Sequence, residues 1–322
     1  MKILYLPNQY SQQRQFEKRV WTYPVHLAME ATKDRHNGHD VVWDGKDDGT
    51  YDEIVTKPGR HDFLSLPAPD RVFTNAHDKR YSMHGNFKYS PGTYMMAASG
   101  CWHGKCTFCV EKDNKYKRRP LSSVIHEIEQ CHKLGFKEIF DDSGTFPDYV
   151  WLRSFCSDMK SMPFKMALGC NMRIGADVDF ELMKAAGFRM VLFGIESANQ
   201  KTLDRLRKGI NADEIIPTIK KASAAGLEPH GAFMFGCPGE NKDEERKTLD
   251  LIHYLLRKGY LKTAQVSIYD VSGRRGVDRG FKNKIYDVGL SAEFWYHQIR
   301  SIRCLEDFKY ILKGIRKGIV HD

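Results

Sequence analysis

Ser99-Gly100-Cys101-Trp102-His103-Gly104-Lys105-Cys106-Thr107-Phe108-Cys109 is the stretch on which the reading of this chain turns. Three of the eight cysteines fall within nine residues, spaced C-x4-C-x2-C, while Cys131, Cys156, Cys170, Cys237 and Cys304 stand apart. The N-terminus, MKILYLPNQYSQQ, turns polar after six residues and lacks the apolar stretch of a secretory leader, which predicts a cytoplasmic protein. In such a chain a tight cysteine cluster points to metal binding, not to a disulfide framework. Three thiolates on one compact loop suit one face of an iron–sulfur cube and leave one iron without a protein ligand. Cys101, His103, Cys106 and Cys109 together would also make a four-ligand zinc knuckle.

Position separates the two readings. The cluster follows a short apolar strand at 94–98, and five more strands are predicted at 138–141, 165–169, 190–195, 231–235 and 264–268. Amphipathic helices fall between them, near 121–134, 149–159, 178–186, 200–206 with 212–225, and 242–257. Gly135, Gly187 and Gly226 each close a helix just before the next strand, where a left-handed cap favours glycine. Six β–α steps predict an α/β fold, a parallel sheet curled into a partial (β/α)6 barrel, two steps short of the closed (β/α)8 form. Its mouth would be open to a large substrate, with the site at the carboxyl ends of the strands. A structural zinc knuckle has no reason to sit there, so the cysteine loop is read as a cluster loop.

The flanks differ in texture. Residues 1–58 predict a truncated Rossmann-like α/β unit, with strands at 2–6, about 40–44 and 51–56 and a helix over 16–32. Residues 59–92 form a connecting segment rich in Pro, Gly, Asp and His. The barrel spans 93–272, and 273–322 hold a Gly/Arg loop and two C-terminal helices near 294–302 and 305–315. No internal repeat or low-complexity tract is present, and no run of about 18 apolar residues marks a membrane span.

"SGCWHGKCTFC", "FDDSGTF", "GIESANQKTL" and "FMFGCPGE" follow the first, second, fourth and fifth predicted strands in order, behind "LPAPDRVF" and "GNFKYSPGTYMMAASGC". On these segments the chain resembles the radical SAM superfamily over roughly residues 60 to 315. More narrowly it is similar to the branch that usually carries an N-terminal cobalamin-binding domain. The first gap has four residues where the superfamily usually has three, so His103 is read as a loop residue beside the cluster and not a ligand.

The resemblance implies a radical SAM enzyme. Cys101, Cys106 and Cys109 would hold a 4Fe–4S cluster whose open iron chelates S-adenosylmethionine. Reductive cleavage would give a 5′-deoxyadenosyl radical that takes hydrogen from an unknown substrate. An external one-electron reductant of the flavodoxin or ferredoxin type is implied. Phe108 would pack near the adenine, with Met234 and Phe235 framing it, unless these two are plain buried strand. Asp141, Asp142 and Ser143 end the second strand; adjacent carboxylates are costly to bury without a cation, which the methionine ammonium would supply, although Asp and Ser also cap helices. Asn171 and Arg173 follow the third strand. The Arg173 fork matches the cofactor's carboxylate, or pairs with Asp142 or Glu196. Glu196 is read as a ribose or amino-acid contact, Ser197 as a cap or contact, and Glu240 as the start of the next helix. Cys170 and Cys237 are either inert buried thiols or catalytic groups, as hydrogen donor or methyl acceptor.

A cobalamin-dependent methyltransferase is the second reading, but residues 1–58 are short for a five-stranded cobalamin fold and hold no Asp-x-His-x-x-Gly motif. A reading from another class is a non-enzymatic zinc or iron–sulfur protein that binds nucleic acid through its net charge of +9. The basic clusters Lys112, Lys115, Lys117, Arg118, Arg119 and Arg274, Arg275, Arg279, Lys282, Lys284 each fall in a predicted loop, where basic residues need no special explanation, so nucleic acid is not indicated beyond that charge. The later arginines, behind the sixth strand, point to an anionic or polar substrate.

Overall fold

The computed structural model describes residues 1–7, 22–82, 87–112, 114–269, 292–302 and 304–320. The early part of the predicted helix over 16–32, and the Gly/Arg loop at 273–280 with Lys282 and Lys284, lie outside these residues.

Strand β1 (Lys2–Tyr5) sits between β2 (Asp40–Trp43) and β3 (Glu53–Val55) in a three-stranded parallel sheet. Helix α1 (Val25–His36) begins after Pro24 and runs four residues past the predicted end. It is apolar on two sides. Leu27 and Ala31 pack on Ile3, Tyr5 and Val55, while Val25, Ala28 and Met29 enter the main core. A helix buried on both sides has no clean amphipathic period. Through α1 the small sheet and the larger one share packing.

The segment at 59–92 is anchored, not free. It carries the short helix α2 (Lys79–Ser82), and its buried Arg71 donates to the Tyr94 carbonyl (2.9 Å) and to Glu127 Oε1 (2.5 Å).

The larger sheet begins with β4 (Gly92–Met95). A two-stranded antiparallel ribbon follows, β5 (Ala98–Ser99) with β6 (Lys117–Arg118), then α3 (Leu121–Lys133). Next come β7 (Glu138–Asp141), α4 (Tyr149–Ser161), β8 (Ala167–Met172), α5 (Phe180–Ala185) and β9 (Phe188–Glu196). Then follow α6 (Gln200–Arg205), α7 (Ile215–Ala224), β10 (Glu228–Phe235), α8 (Lys242–Arg257) and β11 (Thr263–Ile268). Helices α9 (Ala292–Arg300) and α10 (Leu305–Val320) lie near the C-terminus. β4, β7, β8, β9, β10 and β11 are all parallel and adjacent in chain order, a curled six-stranded half-barrel. The expected partial (β/α)6 architecture is therefore present.

The fourth, fifth and sixth strands begin one to three residues earlier than expected, and the first and third shift at both ends. The first strand stops at Met95, because Ala98 and Ser99 pair with Arg118 and Lys117 in the separate ribbon. The third runs from Ala167 to Met172, so Cys170 and Asn171 lie inside it. Gly169 interrupts the apolar run, but the backbone ladder needs no side chain and continues past it.

Aromatic residues fill the space between sheet and helices: Phe140, Phe146, Phe155, Phe188 and Phe193 are all at most 4% exposed. Each contributes about 1.5–3 kcal/mol by leaving water. Asp148 caps α4 by accepting from the Trp151 N–H (3.2 Å), and Asn241 with Glu244 forms a capping box on α8. Gly135, Gly187 and Gly226 take φ of 84°, 103° and 81°, as their helix-ending positions predict.

The amino ends of the strands are closed by ion pairs. Arg189 donates to Glu138 through Nε (2.7 Å) and to Glu228 through Nη1 (2.6 Å), and Lys88 bridges Glu228 to Asp307 near the start of α10. The carboxyl ends are thus left for the site. Among the described residues, no helix is long and apolar enough to cross a membrane.

Candidate functional site

The cysteine loop lies at the carboxyl ends of the strands, closed at its base by the β5–β6 ribbon. Neighbouring loops pin it. The Thr107 N–H donates to the Leu206 carbonyl (3.0 Å), and His103 Nε2 lies 2.9 Å from the Arg207 carbonyl. The Trp102 indole N–H donates to the Phe146 carbonyl (3.3 Å), and the Arg173 guanidinium sits 5.5 Å over the Trp102 ring. Gly144, from "FDDSG", approaches so closely that a Cβ there would stand 3.1 Å from the Gly100 carbonyl and 3.3 Å from Cys101 Cβ. Cys106 is buried, while Cys101 and Cys109 are half-buried. Burial pushes the Cys106 thiol up, and the nearby cations Lys208 and Arg173 pull it down.

The residues after β7 look inward. Asp141 is fully buried; its Oδ2 accepts from the Ala97 N–H (2.7 Å) and its Oδ1 from the Ser143 N–H (3.1 Å). Burial pushes its carboxyl up to about 7. The Ser143 hydroxyl accepts from the Ala98 N–H (2.9 Å). Asp141 and Ser143 therefore hold the backbone that leads into the cysteine loop. The sequence left them a ligand contact or a helix cap; the bonds seen run to backbone N–H groups of Ala97, Ala98 and Ser143. Asp142 is half-buried, and its N–H donates to the Met95 carbonyl (2.8 Å). The Asn171 amide donates to the Ser143 carbonyl (2.8 Å), tying β8 to the same turn.

Arg173 pairs with neither Asp142 nor Glu196. Its guanidinium donates to the carbonyls of Lys208 and Gly209, the latter at 3.2 Å, and bridges that turn to the cysteine loop. Glu196 instead pairs with Lys208, Nζ to Oε1 at 2.9 Å, at the end of β9. Ser197 is fully buried; its hydroxyl donates to Glu240 (3.1 Å) and stands 3.2 Å from the Thr248 hydroxyl, so it is an internal tie and not an open contact. Glu240 precedes α8 and does not begin it: Asn241 is the cap, and Glu240 also accepts from the Cys237 N–H (3.3 Å). Burial pushes its carboxyl up.

Phe108 packs on a small apolar cluster of Leu206, Met234 and Cys237, with Tyr269 beside it, and Lys208 Nζ lies 5.6 Å from the Phe108 ring centre. Alternation along β10 sends Met234 to this cluster and Phe235 into the main core. Cys170 is fully buried in the main core, with no exposed surface from which to act. Burial pushes the thiols of Cys170 and Cys237 up, which disfavours a reactive thiolate at either.

The model of the Radical SAM superfamily matches residues 95–252. Residues 95–252 form a radical SAM domain. The chain is similar to an uncharacterized methyltransferase of Pyrococcus horikoshii, 27% identical over 180 residues, covering 49% of this chain and 36% of the relative. It is also similar to the cytidylyl-2-hydroxyethylphosphonate methyltransferase of Streptomyces wedmorensis, 24% identical over 231 residues, covering 64% of this chain and 41% of the relative. The chain thus spans well under half the length of these curated relatives. Its fold is like that of the cobalamin-dependent S-adenosylmethionine radical enzyme OxsB with aqua-cobalamin bound, at a TM-score of 0.51 and 14% identity, covering 91% of this chain and 43% of that one.

Radical SAM proteins use a 4Fe–4S cluster and S-adenosylmethionine, and the loop suits such a group. Its donor set is three thiols on one loop, pinned by backbone bonds, with the cations Lys208 and Arg173 beside Cys106. Among the described residues no three Cys, His, Asp or Glu side chains close around a single point. His103 is held through Nε2 by the Arg207 carbonyl.

Sequence reasoning missed Lys208. It lies in a turn past α6, not at a strand end, and only the Lys-Gly pair after a helix hinted at a cap there. Thr248, which meets Ser197 from α8, carried no signal at all.

Proposed function

We propose that the chain is a radical SAM enzyme in which Cys101, Cys106 and Cys109 hold a 4Fe–4S cluster, acting in the cytoplasm on a polar or anionic substrate from which it takes a hydrogen atom. The observation that carries this reading is the 95–252 match together with three thiols on the loop beside the Lys208–Glu196 pair. When bound, the cluster supplies one electron to S-adenosylmethionine, whose cleavage ends in 5′-deoxyadenosine and methionine once hydrogen has been taken. The chain's own residues bind and orient. Burial favours the Cys106 thiol, and the positive charge of Lys208 and Arg173 offsets part of that. Phe108 and Met234 offer an apolar platform to the adenine. Glu196 and Asp142 are the carboxylates assigned to ribose and ammonium.

The electron would come from an external carrier of the flavodoxin or ferredoxin type. Lys105, Lys115 and Arg207 are exposed around the cysteine loop and pair with no carboxylate among the described residues, which suits an acidic partner. Anaerobic reconstitution tests the whole reading. About four irons per chain, with 5′-deoxyadenosine formed from S-adenosylmethionine and dithionite, is the expected result; one tightly held zinc and no product would overturn it.

A second reading is methyl transfer, favoured by the methyltransferase names of the relatives. Cobalamin would be its cofactor. The N-terminal sheet has three strands among the described residues, fewer than the five of a full cobalamin fold. An absorbance titration with hydroxocobalamin decides: a bound-corrinoid spectrum supports methyl transfer, and an unchanged free spectrum leaves hydrogen abstraction.

A further inference from the structure

Tyr116 stands on the return limb of the cysteine loop, one residue before β6. Its hydroxyl is shielded from water and has no hydrogen-bond partner. A buried hydroxyl left unmatched is destabilising, so such an atom calls for an acceptor. Asp148, Asp141 and Cys101 are all close enough for their charges to act on it. Both carboxylates already serve other donors. Asp148 uses one oxygen to cap Trp151 and the other to hold Arg118. Asp141 uses its two oxygens for the N–H groups of Ala97 and Ser143. The sulfur of Cys101 is the third acceptor nearby, and the one that gains negative charge if it ligates a metal.

The ribbon explains the proximity. Ser99 pairs with Lys117 and Ala98 with Arg118, so the chain just after Ser99 runs beside the chain just before Lys117. The tight approach of Gly100 to the Lys115 carbonyl, which a Cβ would meet at 2.9 Å, marks the same contact. Cys101 and Tyr116 are thereby held on facing limbs.

We propose that Tyr116 donates its hydroxyl hydrogen bond to the Cys101 sulfur when that sulfur ligates the cluster, and so sets how readily the cluster accepts its electron. This rests on the cluster assignment made above. A donor aimed at a ligating thiolate spreads its negative charge, which stabilises the more negative, reduced cluster and raises its potential. Tyr116 is then a positioning residue for electron uptake and not a group that touches substrate.

The test is Tyr116→Phe in the full chain, reconstituted anaerobically. Iron and sulfide content should match the wild type, while an EPR-monitored potentiometric titration should show the midpoint moved to more negative values. In resonance Raman spectra the wild-type Fe–S stretching bands should shift in D2O, and the variant should lose part of that shift. An unchanged midpoint with a full cluster overturns the proposal. So does loss of the cluster from a variant whose circular dichroism is native, since a tuning bond is not needed for assembly. Wild-type protein that takes up no iron would instead remove the cluster assignment itself, and the iron count tells the two failures apart.

Discussion

Lys208 Nζ lies 2.9 Å from Glu196 Oε1, and the two side chains are only 10% and 9% exposed. They arrive from different places: Glu196 closes β9 at a φ of 68°, and Lys208 follows helix α6 in the turn that Arg173 holds by its carbonyl. Each charge has given up most of its water for the other, so the pair is close to balanced while both partners are present. Removing one leaves the other bare, and that asymmetry is what a mutation reads.

Lys208→Met should therefore lower the unfolding free energy by about 3 kcal/mol, seen as a lower Tm. The double variant Lys208→Met with Glu196→Gln should recover most of that loss. Affinity for S-adenosylmethionine, measured by calorimetry, should fall in both. Recovery of affinity along with stability would remove the pair from the cofactor site.

His103→Ala separates cluster from knuckle. Its imidazole is tied to the Arg207 carbonyl, so iron content after reconstitution should stay near that of the wild type. Cys101→Ala, Cys106→Ala and Cys109→Ala should each lose the cluster and its broad visible absorbance. Equal metal loss from His103→Ala would restore the zinc reading.

Asp141 gives stability a pH dependence with a definite sign. Burial raises its carboxyl from 3.8 to about 7 in the folded chain, so between about pH 4 and pH 7 the folded state binds the proton that the unfolded state has released. Its contribution to stability is then favourable at low pH and is lost as pH rises to about 7. Asp141→Asn should flatten the slope of Tm against pH across that window, at some cost in absolute stability from the lost acceptor.

Cys170→Ala should cost about 1 kcal/mol through the small void it leaves, with turnover per cluster unchanged. Cys237→Ala should likewise leave turnover in place. A drop in product formation at full iron content, in either variant, would return that thiol to the catalytic set.

Lys105→Glu with Lys115→Glu should slow flavodoxin-driven formation of 5′-deoxyadenosine roughly tenfold at low salt, an effect that fades as salt screens the surface. The dithionite-driven rate should not change, because a small reductant needs no docking face. Loss of both rates together would mean damage to the loop and not to docking.

The order of the barrel was legible in the sequence because its signals are local. Apolar strand runs, amphipathic helices and the glycines at 135, 187 and 226 repeat along the chain, and the three cysteines stand directly behind the first strand. Backbone periodicity and cap geometry depend on near neighbours, so they survive in a linear reading. The direction of each side chain did not. For the strand-end residues both a contact with the ligand and a structural role were open, and Asp141, Ser143 and Ser197 turn into the protein to meet backbone and hydroxyl groups. Phe235 and Met234 part company by the alternation of β10. Lys208 and Tyr116 joined the site only when distant segments met, because a partner 12 residues away or across a ribbon leaves no mark in spacing. Local sequence determined which elements form and where the cysteine loop sits; packing between them decided which polar groups stay available, since each buried donor or acceptor takes whatever partner the fold brings near.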